Sequence, residues 1–294
     1  MSLAEYGHLV PGTPVDLPGG TSYYRRLNGP PGAPVVVLVH GWTATAAINW
    51  QAAMEPLSKH FTVIAMDVRG HGRGIRTDAP FRLEDAADDV ADLLDHLHIP
   101  SAIIAGYSMG GPIAQLTWKR HPDKVRGLVL ASTSGGFPEI LPVASPLHWL
   151  DRILHLIPRG ERRTLLPFAD RDAYHRIPVL DEMGRADPRM LVEAGDALAG
   201  YNAWPWLPSI NVPTAIVETT RDLLVEPALQ ERMARLIPHS RTYRVNSVTG
   251  HVVAGLDPKE WVKQLVAATR DVDLAARTQS LHAPHAGQGL SLAS

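Results

Sequence analysis

A serine between two glycines on a sharp turn is the residue of this chain best suited to do chemistry. Ser108 lies in Gly106-Tyr107-Ser108-Met109-Gly110, after an apolar run that predicts a strand and before apolar residues at helical spacing. At such a strand-to-helix turn, a side chain on either glycine would collide with neighbouring chain, and the serine hydroxyl is pushed out of the sheet. Gly-x-Ser-x-Gly also arises by chance, but these flanks favour a nucleophilic serine.

A serine hydroxyl becomes a good nucleophile only when a base removes its proton and an acid orients that base. After a turn of this kind, the acid and then the histidine are expected later in the chain. Asp222 follows a predicted strand that ends at Glu218, and His251 follows one that ends near Asn246. Both lie at the strand ends where Ser108 emerges, so the sequence predicts Ser108, His251 and Asp222 as nucleophile, base and acid.

Other residues could take these roles, and a late histidine is no surprise in a chain with 14 of them. Glu218 falls inside a predicted strand, and Glu226 precedes a proline at a predicted helix start. His239 follows a proline in a connecting loop and is expected to be solvated, whereas His251 follows a glycine between a strand and a helix. His40 is expected to pack or to form hydrogen bonds rather than to act in catalysis.

Two backbone N–H groups are predicted to stabilise the oxyanion that forms when Ser108 attacks a carbonyl. The Met109 N–H lies at the start of the predicted helix, where donors have no partner within the helix and the helix dipole favours negative charge. The second donor is expected from the loop in Val39-His40-Gly41-Trp42, with the Trp42 N–H as the candidate. A purely structural role for the Trp42 ring is compatible with this prediction because the donor is backbone.

The elements that must position these residues form an alternating pattern. Apolar, β-branched runs alternate with helical patterns, which is typical of a mostly parallel sheet with helices packed on it. Residues 83–97 predict a helix with one apolar stripe, and Pro18-Gly-Gly20 predicts a leading hairpin. Strands are predicted at residues 34–40, 61–66, 102–107, 125–131, 213–218 and 240–246.

Residues 134–209 interrupt this rhythm and predict a helical insertion between two strands, so the core comprises residues 1–133 and 210–270. Trp204 and Trp206 lie where the insertion returns to the core and are candidates for lining an apolar pocket. Most aromatic rings of the insertion are instead expected to pack its own small core. Residues 271–294 are small, polar and rich in Gly, Ala and Ser, and they predict a disordered tail.

Composition narrows the function classes further. The 294 residues contain no cysteine, which excludes disulfides, thiolate catalysis and zinc–sulfur sites. The net charge of −2 comes without a basic stripe, so no nucleic-acid partner is expected. No membrane span and no secretory signal are predicted, and a cytoplasmic location is expected. The predicted chemistry needs no cofactor and no metal ion, and the oligomeric state is left open.

Five motifs together resemble the α/β-hydrolase family, in its serine-nucleophile branch with a helical cap. They are Val-His-Gly-Trp at 39–42, Asp-Val-Arg-Gly-His-Gly at 67–72, Gly-Tyr-Ser-Met-Gly-Gly at 106–111, Asp222 and Gly250-His251. The resemblance covers roughly residues 20–270. It implies an α/β-hydrolase fold with helices on both faces of the sheet, the same triad and oxyanion donors, and a cap at 134–209 that shapes the substrate pocket. Many relatives have a serine directly after the Asp-x-Arg-Gly-x-Gly-x stretch, where this chain has Gly74 followed by Ile75. This departure weakens assignment to a subgroup rather than the predicted catalysis.

The expected activity is hydrolysis of a small to medium apolar carboxylic ester through an acyl-enzyme. Esterases, lipases, carbon–carbon bond hydrolases and perhydrolase-type haloperoxidases share these motifs, so C–C cleavage, perhydrolysis and acyl transfer stay open. A serine at the turn argues against relatives with an aspartate nucleophile. An alternative of another class is a non-catalytic ligand-binding protein of the same fold, whose expected hallmark is a damaged triad.

Overall fold

An eight-stranded, mostly parallel sheet organises the chain. The computed structural model describes residues 9–137, 182 and 184–282. The strands are β1 Gly12–Leu17, β2 Gly20–Leu27, β3 Val35–Val39, β4 Thr62–Met66, β5 Ala102–Tyr107, β6 Val125–Ala131, β7 Thr214–Thr219 and β8 Arg241–Val245. Their order is β1-β2-β4-β3-β5-β6-β7-β8, with β1 antiparallel to β2, β2 antiparallel to β4, and all later pairs parallel.

Helices cover both faces of this sheet. They are α1 Ala46–Ser58, α2 Leu83–His96, α3 Gly110–Arg120, α4 Pro188–Ala199, α5 Pro227–Leu236, α6 Val253–Leu256 and α7 Pro258–His282. Because side chains alternate along a strand, neighbours such as Ile103 and Ile104 enter different hydrophobic cores. One core contains residues of α2, α3, α4 and α5, and the other contains residues of α1, α6 and α7. In the described part of the chain, no helix has the length and apolar character needed to cross a membrane.

The sequence predictions of fold class, strands, leading hairpin and the helix at 83–97 are confirmed. Of the predicted cap, residues 138–181 and 183 lie outside the described residues. The described part contains α4, and a bridge between Gly136 and Asn202 joins the two ends of the insertion. Met190, Ala194 and Leu198 of α4 enter the same core as the sheet. This returning half of the insertion is therefore packed on the core.

The predicted disordered tail is wrong for residues 271–282, because α7 continues to His282. Val272 and Ala276 are buried at helical spacing from the earlier core residues of α7. Asp273 anchors this part of the helix through an ion pair with Arg126, with Nη2 and Oδ1 2.9 Å apart. The composition of residues 271–282 did not predict this helix, because only Val272 and Ala276 form its buried apolar stripe. Residues 283–294 lie outside the described part of the chain.

Candidate active site

The residues predicted to do chemistry meet at the carboxyl ends of parallel strands. Ser108 directly follows β5, Asp222 follows β7 and His251 follows β8. Since β5, β6, β7 and β8 are consecutive in the sheet, their carboxyl ends lie along one edge. Trp42 reaches the same edge because it follows β3, the neighbour of β5 on its other side.

The turn at Ser108 has the strained geometry that the glycines predict. Ser108 has φ of +53°, a left-handed conformation that a serine holds only when its surroundings enforce it. A Cβ on Gly106 would overlap the Gly110 carbonyl, and one on Gly110 would overlap the carbonyl of Val39. The Ser108 carbonyl accepts a hydrogen bond from the Thr133 hydroxyl at 2.7 Å. Close packing on all sides therefore fixes the serine where its hydroxyl leaves the sheet.

The structure brings Ser108, His251 and Asp222 into one chain of hydrogen bonds. His251 Nε2 lies 2.8 Å from Ser108 Oγ, and His251 Nδ1 lies 2.7 Å from Asp222 Oδ2. The acidic side chain is fully buried, and its Oδ1 accepts backbone N–H groups from Leu224 at 2.9 Å and Val225 at 2.8 Å. With Nδ1–H donating to this carboxylate, Nε2 has a free lone pair for the serine proton. The geometry is that of a nucleophile, a base and an orienting acid.

Tyr107 is a site residue that the sequence reasoning missed. Its hydroxyl donates a hydrogen bond to the backbone carbonyl of His251, and its ring centroid lies 5.7 Å from that of the imidazole. Burial, reinforced by the charge of Asp222, raises the pKa of Tyr107, so the phenol stays protonated and able to donate. A tyrosine at the end of a buried strand needs a partner for its hydroxyl, which is the one signal the sequence offered.

The two predicted oxyanion donors flank Ser108. Met109 is the N-cap of α3, and a Cβ on Gly41 would lie only 3.0 Å from the Cβ of Ser108. The Gly41 N–H donates to Asn49 Oδ1 at 2.8 Å, which holds the loop before Trp42 against the sheet edge. Among the residues that the structure describes, no protein acceptor takes the backbone N–H of Met109 or Trp42. This absence is what the predicted role of the two N–H groups requires.

His40 supports this loop and has the structural role that the sequence predicts. Its Nδ1 donates to the Gly41 carbonyl at 2.8 Å, and its Nε2 accepts the Val68 N–H at 2.9 Å. Burial lowers the pKa of His40 to about 4, so the imidazole is neutral at physiological pH. A neutral imidazole can donate and accept at once, as this position requires.

The other candidate acids and bases lie elsewhere. Glu218 is buried within β7 beside Arg244, with Oε1 and Nε 3.5 Å apart. Burial raises the pKa of Glu218. Glu226 is the N-cap of α5, and His239 is exposed in the loop before β8. In the described part of the chain, no three His, Asp or Glu side chains are grouped so that they could hold a metal ion.

The contacts that hold Trp204 and Trp206 are with residues other than the triad. The Trp206 ring stacks on Trp118 with centroids 6.2 Å apart, and the Lys119 Nζ lies 4.6 Å from it. Trp118 is eight residues into α3, about 12 Å along its axis from the end that holds Ser108. Trp204 packs over Gly136 and carries the Arg232 guanidinium 4.2 Å from its ring. Contacts with these neighbours, rather than with the nucleophile, fix both indoles.

Comparison with known proteins gives consistent results. The profile of a family described as alpha/beta hydrolase fold matches residues 34–173. The chain is 30% identical over 235 residues to a pimeloyl-[acyl-carrier protein] methyl ester esterase of Neisseria meningitidis, covering 74% of this chain and 71% of that protein. It is 25% identical over 194 residues to 3-oxoadipate enol-lactonase 2 of Acinetobacter baylyi, covering 65% and 73%.

Solved structures of other proteins have the same fold as this chain. An enol-lactonase from Burkholderia xenovorans superposes with a TM-score of 0.69 at 24% identity, over 87% of this chain and 98% of that one. At this identity the likeness establishes a shared fold and no more. The shared fold agrees with the sheet order and with the edge at which Ser108 lies.

Proposed function

Because the chain belongs to the α/β-hydrolase family, we propose that it is a serine hydrolase that cleaves small to medium apolar carboxylic esters through an acyl-enzyme on Ser108. Relatives named as an esterase and an enol-lactonase place it among hydrolases that act on ester bonds. The observation that carries the finer proposal is the unbroken chain of hydrogen bonds from Asp222 through His251 to Ser108.

In the acylation step, Ser108 Oγ attacks the ester carbonyl while His251 Nε2 takes its proton. The 2.8 Å separation allows a direct transfer, and the buried Asp222 carboxylate stabilises the imidazolium that results. The imidazolium then protonates the leaving alcohol. In the second half of the reaction, His251 activates a water that hydrolyses the acyl-enzyme and releases the acid.

The Met109 and Trp42 N–H groups would hold the carbonyl oxygen during both steps. One comes from the start of α3 and the other from the loop after β3, the strand that pairs with β5. Fixed backbone donors need no reorganisation as negative charge develops, and removal of one such donor costs about 10²–10³ in kcat. Their lack of a protein acceptor among the described residues supports this role.

Exposed apolar side chains near the acid and the base in the chain support an apolar substrate. Most of the large apolar side chains that are exposed in the described part of the chain lie within five residues of Asp222 or His251 in the sequence. These side chains are Leu223, Leu224, Val248, Val252 and Leu256. Since exposed apolar area is unfavourable in water, its concentration near the acid and the base in the chain favours a ligand that covers it.

The test is hydrolysis of a panel of p-nitrophenyl esters of increasing acyl length. We expect turnover by the wild type, with a preference for an apolar acyl group over acetate. Ser108→Ala and His251→Ala should abolish it, whereas Ser58→Ala and His239→Asn provide matched controls away from the triad. All variants should remain folded by circular dichroism, since the substituted groups contribute little apolar burial.

Two other outcomes would redirect the proposal. Turnover that yields a new ester or a peracid when alcohol or peroxide is added would indicate acyl transfer by the same residues. Folded wild-type protein that hydrolyses no ester on the panel would favour C–C bond cleavage or a non-catalytic binding protein. A fluorophosphonate probe separates these last two, because only an activated serine reacts with it.

A further inference from the structure

The indole of Trp42 ties the loop of the oxyanion donor to helix α4. Its Nε1–H donates a hydrogen bond of 2.7 Å to the backbone carbonyl of Leu191, 149 residues further along the chain. Trp42 is partly buried and packs against the core cluster that contains Met190, Ala194 and Leu198 of this helix. The residue after Gly41, which lies against Ser108, therefore carries the candidate donor in its backbone while its side chain is held by the returning half of the insertion.

Gly195 provides the space for this contact. A Cβ at this position would lie 2.9 Å from Cζ2 of the Trp42 ring, closer than real Cβ contacts allow. Glycine inside a helix weakens it relative to alanine, and Gly195 lies in the interior of α4. The helix thus carries an unfavourable residue at the one turn where the indole rests, four residues after Leu191.

Helix α4 is a fixed support because other contacts hold it on the core. The Asp187 N–H donates to the Gly70 carbonyl at 2.8 Å, and the Phe81 N–H donates to Glu193 Oε2 at 2.8 Å. The Asp187 side chain also caps the helix by accepting the Arg189 N–H at 3.0 Å. These bonds do not involve Trp42, so the indole can be displaced without releasing the helix.

The loop is fixed by short hydrogen bonds before Trp42 but not after it. Gly41 is held by Asn49 and, through its carbonyl, by His40 Nδ1 at 2.8 Å, whereas the turn from Gly41 to Ala44 is closed by a long hydrogen bond of 3.4 Å. Thr43 after it has φ of +58°, a strained conformation for a β-branched residue. A strained turn keeps its geometry when neighbouring contacts hold it, and the bond from the indole to Leu191 is one such contact.

We propose that the seat for the Trp42 indole on α4, formed by the Leu191 carbonyl and Gly195, positions the Trp42 N–H for oxyanion binding. This inference rests on the proposed serine hydrolase function. It makes Gly195 a positioning residue that touches no substrate, and it couples the placement of α4 to the rate of the chemical step. Loss of the seat should lower kcat more than it changes KM, because an oxyanion donor acts chiefly on the transition state.

Two variants remove the seat from opposite sides. Trp42→Phe keeps an aromatic ring but loses the N–H that reaches Leu191, and Gly195→Ala forces the indole away from the helix. Gly200→Ala, at the C-cap of the same helix, is the matched control because its Cβ would meet nothing closer than 3.6 Å. We expect a fall in kcat of about tenfold or more for the two seat variants, part of the 10²–10³ for a lost donor. KM should change less than about threefold, and Gly200→Ala should match the wild type.

Thermal unfolding and a double variant separate positioning from stability. Gly195→Ala should change Tm little, because the gain of alanine over glycine in a helix offsets the lost indole hydrogen bond. A loss of kcat in the folded variant therefore cannot come from unfolding. It decides the question even if Trp42→Phe does not fold. If both changes act through one contact, the double variant should lose no more kcat than the larger single loss.

Unchanged kcat in folded Gly195→Ala would overturn the inference, as would an effect confined to KM or Tm. The proposed function is judged separately by the wild type. If wild-type hydrolysis vanishes in Ser108→Ala while Gly195→Ala retains full kcat, the triad stands and the positioning role fails. If the wild type shows no Ser108-dependent hydrolysis, both fail together.

Discussion

Replacing Asp222 by asparagine should disable the base while leaving the fold intact. Asp222 Oδ1 accepts two backbone N–H groups, from Leu224 at 2.9 Å and Val225 at 2.8 Å. In Asp222→Asn, the amide oxygen is the only atom that can accept these bonds, so it must occupy the Oδ1 position. The NH2 group must then face His251 Nδ1, which in the wild type lies 2.7 Å from Asp222 Oδ2.

This fixed amide orientation reverses the tautomer of His251. Nδ1 must accept from the amide, so the imidazole proton moves to Nε2 and points at Ser108 Oγ. The base then has no lone pair for the serine proton. A reversed tautomer in a Ser-His-Asp triad costs about 10⁴ in kcat, which corresponds to about 5 kcal/mol of transition-state stabilisation.

The assay is steady-state hydrolysis of p-nitrophenyl butyrate, with the rate of fluorophosphonate labelling as a second readout. Both should fall by about four orders of magnitude in Asp222→Asn, while Tm stays near that of the wild type. Glu218→Gln is the matched control, since it makes the same carboxylate-to-amide change in a buried acid outside the triad. A folded Asp222→Asn whose kcat lies within about tenfold of the wild type would refute the tautomer argument.

Three further outcomes are expected. Gly110→Ala should lower Tm sharply or prevent folding, because its Cβ would overlap a backbone carbonyl of β3, whereas the control Gly200→Ala should leave Tm unchanged. An unchanged Tm in Gly110→Ala would contradict the close approach of Gly110 to β3. Tyr107→Phe removes the donor to the His251 carbonyl and should lower kcat about tenfold with KM nearly constant. A kcat equal to that of the wild type would exclude a positioning role for the Tyr107 hydroxyl. Through His40 alone, the free energy of unfolding should fall by up to about 3 kcal/mol from pH 6.5 to 4, because folding lowers its pKa to about 4 and the unfolded chain binds the proton first. The buried His71 beside it, whose pKa is lowered to about 3, adds to this fall. A Tm independent of pH across this window in calorimetry would contradict it.

The sequence was sufficient where local patterns carry the information. Continuous apolar, β-branched runs predicted the strands, and helical spacing predicted the helix at 83–97. The ends of the later strands pointed to Asp222 and His251. Parallel strands bring their carboxyl ends to one edge, so residues far apart in the chain could be predicted to meet. The structure places His251 within hydrogen-bond distance of both Ser108 and Asp222.

What the sequence could not predict are contacts between segments that share no local pattern. The bond from Trp42 to Leu191 joins two segments 149 residues apart, and Gly195 reads in the sequence only as a poor helix residue. Trp206 was expected near the substrate because of its place in the chain, but stacking on Trp118 fixes it elsewhere. The continuation of α7 beyond residue 271 depends on burial against β6, which composition does not report.

The measurement that tests the central claim most directly is mass spectrometry of the protein during turnover of a p-nitrophenyl ester. An acyl-enzyme intermediate predicts a burst of p-nitrophenol and a mass increase equal to the acyl group, which peptide mapping should place on Ser108. Ser108→Ala should show neither the burst nor the adduct. An adduct mapped to another residue, or hydrolysis that persists in folded Ser108→Ala, would contradict the proposed mechanism.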